Sequence, residues 1–289
     1  MIIYRRKEIK QEQFGDGTLK AILPENLNKK SPYNLDFSFF GGATKQETIT
    51  WCYDSDGEIF TLRCLVDTIR DILGKDVSIN LNLPYIPHAR QDRRVSGRFF
   101  TLKSFANMIN EMNFNQVKIL DPHSDVSMAL IDRSYEMFKP IEILNISKDA
   151  VLMYPDAGAA KKYNINNNNC IIGNKHRDES GKIIKYELLN FVEGTRSVVI
   201  VDDICSYGGT FVAAIKALKE KGVENISLIV SHCEDNILKG DVLNYVDAVY
   251  TSDSICHIKN HSKIIYIENY NFRNVDEDEE VIDIDKEVK

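Results

Sequence analysis

Two adjacent carboxylates followed by a glycine-rich turn form the strongest local signal in the sequence. The apolar run 198–201 leads directly to Asp202 and Asp203, and the segment 208–210 (Gly-Gly-Thr) opens an expected helix. Ligands of open α/β sheets bind at the carboxyl ends of strands. A glycine-rich turn that enters a helix offers backbone N–H groups and the positive end of the helix dipole to a phosphate. Because the carboxylates repel phosphate, their natural partners are sugar hydroxyls or Mg²⁺. A helix-capping junction is the alternative.

Residues suited to nucleotide phosphates follow other expected strands. Arg90 offers a planar fork for phosphate oxygens or a base face, and Gln91 can form hydrogen bonds. His123 stands at the end of another strand, between Asp121 and Asp125, in a setting that suits a metal ion. Taken alone, each segment is also compatible with a basic surface loop or a structural histidine.

Five segments together resemble the ribose-phosphate pyrophosphokinase family, whose phosphoribosyl-pyrophosphate loop is shared with type I phosphoribosyltransferases. The segments are 83–94 (LPYIPHARQDRR), 119–125 (ILDPHSD), 154–162 (YPDAGAAKK), 173–178 (GNKHRD) and 197–211 (SVVIVDDICSYGGTF). The resemblance spans roughly residues 35–270. Phosphoribosyltransferases do not carry the Ala-Arg-Gln-Asp and Asp-x-His segments in this order, so the pyrophosphokinases are the better match.

The resemblance implies transfer of the β,γ-pyrophosphoryl group of ATP to the anomeric hydroxyl of ribose 5-phosphate, with Mg²⁺ as cofactor and AMP as the second product. The implied catalytic pair is Lys175 and Arg177, which would close over the charge that builds on the phosphates. The implied metal contacts are His123 and Asp156. The remaining implied contacts are Phe39, Arg90, Gln91 and Asp92 for ATP, Asp156, Ala157, Gly158 and Lys161 for pyrophosphate, and Asp202, Asp203, Ser206, Tyr207, Gly208, Gly209 and Thr210 for ribose and its 5-phosphate.

Three departures from the family pattern bear on the substrate. The segment 39–43 (FFGGA) lacks the acids of the family's adenine-contacting segment, Ala159 replaces a glycine, and Ser206-Tyr207 stands where the family has Asp-Thr. An aromatic ring in the phosphate turn can stack on a nucleobase, which suits ADP-ribose as acceptor. Ribose 5-phosphate stays the family default. A phosphoribosyltransferase that needs no ATP and a non-catalytic regulatory homologue are the further alternatives.

The elements that position these residues follow from hydrophobic periodicity. Short apolar runs alternate with helical stripes, which is typical of parallel βαβ units. We expect an α/β fold of two similar domains, each a mainly parallel sheet flanked by helices, as in type I phosphoribosyltransferases. The expected domains are residues 1–145 and 146–275, followed by an acidic tail at 276–289. The expected strands are 77–83, 117–120, 150–154, 170–172, 198–201, 226–230, 248–251 and 264–267. The helical stripes 60–72, which begins at Phe60 and ends at Ile72, 102–109 and 211–218 are expected core faces.

Composition excludes several function classes. The chain has 289 residues and a net charge of −7. The tail carries −6 of this, so the body is nearly neutral, which argues against nucleic-acid or anionic-membrane binding. No apolar run approaches the roughly 20 residues of a membrane helix, and no secretory signal is evident. The six scattered cysteines are typical of reduced thiols. We therefore expect a cytoplasmic protein, and the resemblance implies a homo-oligomer built from dimers, up to hexamers.

Overall fold

The computed structural model describes residues 1–16, 18–22, 46–137, 139, 150–163, 170–178 and 183–273. Three sequence-based predictions lie outside these residues. They are the ATP contact at Phe39, the domain boundary between residues 145 and 146, and the acidic tail at 276–289. The side chain of Arg177 also lies outside them, although its backbone is described.

The first half of the chain builds a six-stranded sheet with the order β2-β1-β5-β6-β7-β8. Strands β5 to β8 are parallel, and β1 and β2 add an antiparallel edge. Strands β3 and β4 form a separate hairpin. The strands are β1 Ile2–Tyr4, β2 Lys7–Glu8, β3 Lys10–Gln13, β4 Leu19–Ile22, β5 Gln46–Trp51, β6 Ser78–Leu83, β7 Gln116–Leu120 and β8 Ser134–Met137, and the helices are α1 Glu58–Leu73, α2 Thr101–Glu111 and α3 Asp125–Leu130.

The second half builds a seven-stranded sheet with the order β11-β10-β9-β12-β13-β14-β15. All neighbours are parallel except β10 and β11, which form an antiparallel hairpin at one edge. The strands are β9 Val151–Tyr154, β10 Cys170–Arg177, β11 Ile183–Leu189, β12 Ser197–Cys205, β13 Asn225–Cys233, β14 Ala248–Thr251 and β15 Ile264–Tyr266, and the helices are α4 Ala157–Tyr163 and α5 Gly209–Glu220.

The expected α/β class with two mainly parallel, helix-flanked sheets is confirmed. Two details of the sequence-based prediction are wrong. Phe60 and Ile72 were expected on the core face of the first helix, but both are exposed, because the buried face of α1 is formed by Leu62, Leu65, Val66 and Ile69. The catalytic segment 173–178 was expected to follow the strand that begins at Cys170. Strand β10 instead continues to Arg177, since β11 supplies a hydrogen-bonding partner as far as Ile183.

A buried carboxylate joins the two sheets at the carboxyl end of β7. Asp121 is fully buried, accepts a hydrogen bond from the Tyr163 hydroxyl at 2.6 Å and pairs with Lys162 Nζ at 2.7 Å. The Ser231 hydroxyl, at the end of β13, donates to the same carboxylate. A charge without solvent is stable only when it is paired and hydrogen-bonded, so this contact fixes the end of β7 against α4 and β13.

No helix within the described ranges is long and apolar enough to cross a membrane.

Candidate active site

The glycine-rich turn has the geometry that the sequence predicts. Strand β12 ends at Cys205, Gly208 is the N-cap residue of α5 with φ of +79°, and the helix begins at Gly209. The left-handed conformation favours glycine, and a Cβ atom at Gly208 would also lie 2.7 Å from Cβ of Val242. Because the N-cap residue has no side chain, the N–H groups of the first helical turn stay available to an anion.

The two carboxylates of β12 differ in their environment. Asp203 is buried, and its Oδ2 lies 2.5 Å from Nδ1 of His123, which belongs to the other half of the chain. Burial alone would raise the pKa of Asp203, but the hydrogen bond from His123 and the charge of Lys162 outweigh it and lower the pKa to about 2. Burial and the neighbouring Asp203 charge raise the pKa of Asp202 well above its ordinary value. The carboxylate oxygens of the pair can accept hydrogen bonds from sugar hydroxyls.

The contact with Asp203 also changes the pKa of His123. The hydrogen bond with Asp203 raises the pKa of His123 above its ordinary value, against the opposing effect of burial. The contact also brings the end of the first sheet to the acids of the second. Expected residues from both halves thus lie within one site.

Asp156 and Lys175 form the second charged pair of the site. Lys175 Nζ lies 2.6 Å from Asp156 Oδ2, and the backbone N–H of Ala159 donates to Asp156 Oδ1 at 3.0 Å. Burial raises the pKa of Asp156, but the hydrogen bonds from Lys175 and the backbone outweigh burial, so the net pKa is lowered. Lys175 points from the β10–β11 hairpin, opposite Tyr186 in the register. The lysine is therefore held over the start of α4 by a strand and not by a loop.

Gly173 allows the hairpin to lie close to this loop. A Cβ atom at Gly173 would overlap the Tyr186 hydroxyl and would lie 2.6 Å from the carbonyl oxygen of Pro155. The Tyr186 hydroxyl donates to that same carbonyl at 2.8 Å. The hairpin that carries Lys175 is thereby attached, through Tyr186, to the residue that precedes Asp156.

A cavity of about 770 Å³ gathers half of the predicted site residues. The predicted residues that line it are Arg90, His123, Asp156, Gly158, Lys161, Lys175, Asp202, Asp203 and Thr210. A second cavity of about 790 Å³ follows the glycine-rich turn and is lined by Arg90, Asp202, Ser206, Tyr207, Gly208, Gly209 and Thr210, together with residues of α5 as far as Lys216. Arg90 lines both cavities, so it stands where they meet.

Some predicted residues are not brought into the two large cavities, and some site residues were missed. Gln91, Asp92 and Ala157 line neither cavity. Lys162 was missed as a site residue, although it is the second lysine of the quoted segment 154–162. Glu234 was also missed. Its only signal in the sequence is a polar residue directly after an apolar strand.

The side chains that could bind a metal ion are dispersed around the cavity. His123 and Asp156 both line it, but no cluster of three or more His, Cys, Asp or Glu that could hold a metal ion occurs among the described residues. Mg²⁺ commonly takes only one or two carboxylates from a protein and keeps water and substrate phosphates as its other ligands. The dispersed oxygen donors therefore fit an ion that binds together with a nucleotide.

The architecture and the turn define the class of protein as α/β with a type I phosphoribosyltransferase-like fold. Residues 173–263 match the family model described as "Phosphoribosyl transferase domain". The fold is similar to the crystal structure of phosphoribosylpyrophosphate synthetase from Mycobacterium smegmatis, with a TM-score of 0.66 at 16% identity, over 90% of this chain and 85% of that chain.

Two curated relatives are similar in sequence to most of this chain. The ribose-phosphate pyrophosphokinase of Mycoplasma genitalium is 27% identical over 86% of this chain and 75% of its own length. That of Helicobacter pylori (strain ATCC 700392 / 26695) is 26% identical over 87% of this chain and 78% of its own length. The chain is thus similar to ribose-phosphate pyrophosphokinases over most of its length. The predicted resemblance to this family and the prediction of a pyrophosphokinase-type transferase are confirmed.

Proposed function

We propose that the protein transfers the β,γ-pyrophosphoryl group of ATP to the anomeric hydroxyl of ribose 5-phosphate, giving phosphoribosyl pyrophosphate and AMP. The observation that carries this proposal is the 770 Å³ cavity, in which Asp202 and Asp203 from one sheet meet His123 and Arg90 from the other, with Lys175 on the wall. Relatives named ribose-phosphate pyrophosphokinase support the same reaction.

The acceptor would bind across the end of β12. Its 2- and 3-hydroxyls would contact Asp202 and Asp203, and its 5-phosphate would lie in the turn 206–210, where the first N–H groups of α5 favour an anion. This orientation directs the anomeric hydroxyl toward the 770 Å³ cavity. Holding the two reactants in one geometry removes much of the entropic cost of their meeting.

The donor would bind in the 770 Å³ cavity, with Arg90 on its phosphates. The anomeric oxygen bonds to the β-phosphorus and releases its proton to solvent, and the bond from that phosphorus to the bridging oxygen of AMP breaks. Charge builds on the phosphoryl oxygens as AMP leaves. Lys175 stands on the cavity wall to stabilise that charge, and we propose Arg177, the last residue of β10, as its partner. His123 and Asp156 would hold Mg²⁺, which supplies charge neutralisation when it is bound. We nominate no general base.

The test is AMP release from ATP and Mg²⁺ with ribose 5-phosphate and, separately, with ADP-ribose, followed by mass spectrometry of the products. We expect AMP and phosphoribosyl pyrophosphate with ribose 5-phosphate. AMP release only with ADP-ribose would show that the acceptor is ADP-ribose and that the type of reaction is the proposed one. No AMP with either acceptor would contradict the proposal and would favour the regulatory homologue. The Mg²⁺ requirement is tested by the same assay in excess chelator.

The second candidate acceptor is ADP-ribose, and the position of Tyr207 favours it. The ring of Tyr207 is 55% exposed and lines the second cavity, which continues from the turn along α5 to Lys216. A 5-substituent larger than a phosphate therefore has space beyond the turn, a ring on which a base can stack, and a cation for a second phosphate.

The variant Tyr207→Thr separates the two acceptors. If stacking selects the acceptor, the ratio of kcat/KM for ADP-ribose to that for ribose 5-phosphate falls by about fivefold to a hundredfold, because stacking contributes about 1–3 kcal/mol per base. Phe60→Thr, which removes an exposed aromatic ring from α1, is the control and leaves the ratio unchanged. An unchanged ratio in Tyr207→Thr would show that the ring does not contact the acceptor. The homo-oligomer and the cytoplasmic location stay predictions.

A further inference from the structure

The phosphate turn packs directly on the segment 234–242, which follows strand β13. A Cβ atom at Gly240 would overlap the carbonyl oxygen of Tyr207, and one at Gly208 would lie 2.7 Å from Cβ of Val242. These approaches leave no room between the two backbones. A change in the turn therefore has to be accommodated by residues 234–242, and the reverse is also true.

Glu234 is the first residue of this segment, and its place beside the turn is fixed by the sheet. Cys205 and Cys233 are partners in the parallel register of β12 and β13. The backbone N–H of Glu234 then donates to the carbonyl of Cys205 at 2.8 Å. The side chain of Glu234 consequently begins next to Ser206, the first residue of the turn.

The carboxylate of Glu234 connects the turn to the other half of the chain. It accepts hydrogen bonds from the Ser206 hydroxyl and, at 3.1 Å, from Asn236 Nδ2. Its Oε1 lies 3.5 Å from Nη1 of Arg90. One carboxylate thus contacts a residue of the acceptor turn and the arginine that stands between the two cavities.

We propose that Glu234 is a positioning residue that couples acceptor binding to nucleotide binding, an inference that rests on the proposed function. Without acceptor, Glu234 holds Arg90 and Ser206 together and places a negative charge beside the nucleotide cavity. An acceptor phosphate in the turn takes the Ser206 hydroxyl and repels the carboxylate, so Arg90 is released to the nucleotide. The acceptor therefore tightens nucleotide binding, and by linkage the nucleotide tightens acceptor binding by the same factor.

The sign of the effect distinguishes coupling from a merely structural role. Removal of a structural contact would weaken nucleotide binding, whereas removal of a competing carboxylate strengthens it. In Glu234→Gln, we expect the Kd of α,β-methylene-ATP with Mg²⁺ to fall by about threefold to fivefold in the absence of acceptor, the range for an ion pair that is partly exposed to solvent. Ribose 5-phosphate should lower that Kd by a similar factor in the wild type and by less than twofold in the variant.

Isothermal titration calorimetry with the full chain measures these constants without turnover. Glu193→Gln removes the same charge at the opposite end of β12, where Glu193 pairs with Lys221, and it should behave as the wild type. Ser206→Ala removes only the link to the turn. It should keep the wild-type nucleotide Kd and lose the coupling, so it tests the proposal even if Glu234→Gln misfolds.

Two results would overturn the proposal. One is a nucleotide Kd in Glu234→Gln that is equal to or weaker than that of the wild type, and the other is full coupling in both variants. If no acceptor supports AMP release, the proposed function fails, but the nucleotide Kd of Glu234→Gln still reports whether the carboxylate holds Arg90. Inorganic phosphate then replaces ribose 5-phosphate as the probe of the turn.

Discussion

Replacement of Lys175 by alanine is the most direct test of the proposed chemistry. The ammonium group lies 2.6 Å from Asp156 Oδ2 and lines the cavity that also contains Asp202 and Asp203. A unit charge about 4 Å from a second one contributes about 4 kcal/mol at an effective dielectric constant of about 20. Because only part of a unit charge develops at the phosphoryl oxygens, we expect Lys175 to lower the activation free energy by about 3 kcal/mol. That value corresponds to a loss of about 10² in kcat, within the range for one preorganised donor.

The assay for Lys175→Ala is steady-state AMP release, with the Kd of α,β-methylene-ATP measured in parallel. We expect kcat to fall by about two orders of magnitude while the nucleotide Kd changes by less than about threefold, because the contribution is made mainly in the transition state. Lys185→Ala is the matched control. Lys185 lies on the other strand of the same hairpin, is largely exposed and pairs with Glu187.

A thermal melt of both variants shows whether the fold is retained. Loss of Lys175 leaves Asp156 without its cation, so a small decrease in Tm is expected. A folded Lys175→Ala variant with kcat within threefold of the wild type would remove this lysine from the mechanism. A loss of turnover that is matched by an equal rise in the nucleotide Kd would instead make Lys175 a binding residue.

Two further predictions concern the turn and the contact between the sheets. Gly240→Ala places a methyl group against the carbonyl of Tyr207, which as part of the backbone cannot move aside. Steady-state kinetics should therefore show an acceptor KM that is raised at least about tenfold and an ATP KM within about threefold of the wild-type value. The control Gly15→Ala, which has open space at its Cβ, should leave both KM values unchanged. Burial raises the pKa of Asp54, but its hydrogen bonds from Arg273 outweigh burial and hold the pKa well below its ordinary value. Asp54→Asn should therefore lower the free energy of unfolding by about 1 kcal/mol at pH 7, a value discounted for solvent screening. Urea titrations should show the difference shrinking below about pH 4, where Asp54 of the unfolded wild-type chain becomes protonated while the folded protein still holds it ionised.

The sign of the Asp54 prediction follows from proton binding. A carboxyl group with a lowered pKa in the folded state stabilises the fold above its unfolded pKa of about 3.9 and loses that contribution as pH falls toward the folded pKa. The contact with Arg273 is short, at 2.7 Å between Nη2 and Asp54 Oδ1. A destabilisation that is equally large at pH 3 and pH 7 would show that the asparagine acts through packing and not through the lost charge.

Most of the parallel strands were predictable because their apolar runs are visible in the sequence alone, but β5 and β8, which pair in parallel with β6 and β7, were not predicted. Strand β14 has the predicted bounds 248–251, and β6, β7 and β9 differ from prediction by one residue. Strand β10 could be predicted only in its first three residues. Its second half, 173–177 (GNKHR), has no apolar alternation and is a strand because β11 pairs with it, and that pairing is a long-range property that local periodicity does not contain.

The site was predictable where a segment matched a family motif and unpredictable where a single side chain acts across the fold. Asp202, Asp203, Asp156 and Lys175 lie in matched segments, and all four line one cavity. Glu234 lies in no motif. It reaches Arg90 only because the two sheets bring the end of β13 to the loop after β6, so its contact depends on the arrangement of both halves.

The charges of the site are balanced internally, and this balance decides how an anionic substrate can bind. Asp156 pairs with Lys175, and Asp203 pairs with His123 across the two sheets. A phosphate that binds to Lys175 therefore has to displace Asp156 from it. Exchange at Lys175 moves a positive charge from Asp156 to the phosphate. The pairing between the sheets thus holds the two parts of the site together, while the pair of Asp156 and Lys175 holds the cation that the proposed reaction would use.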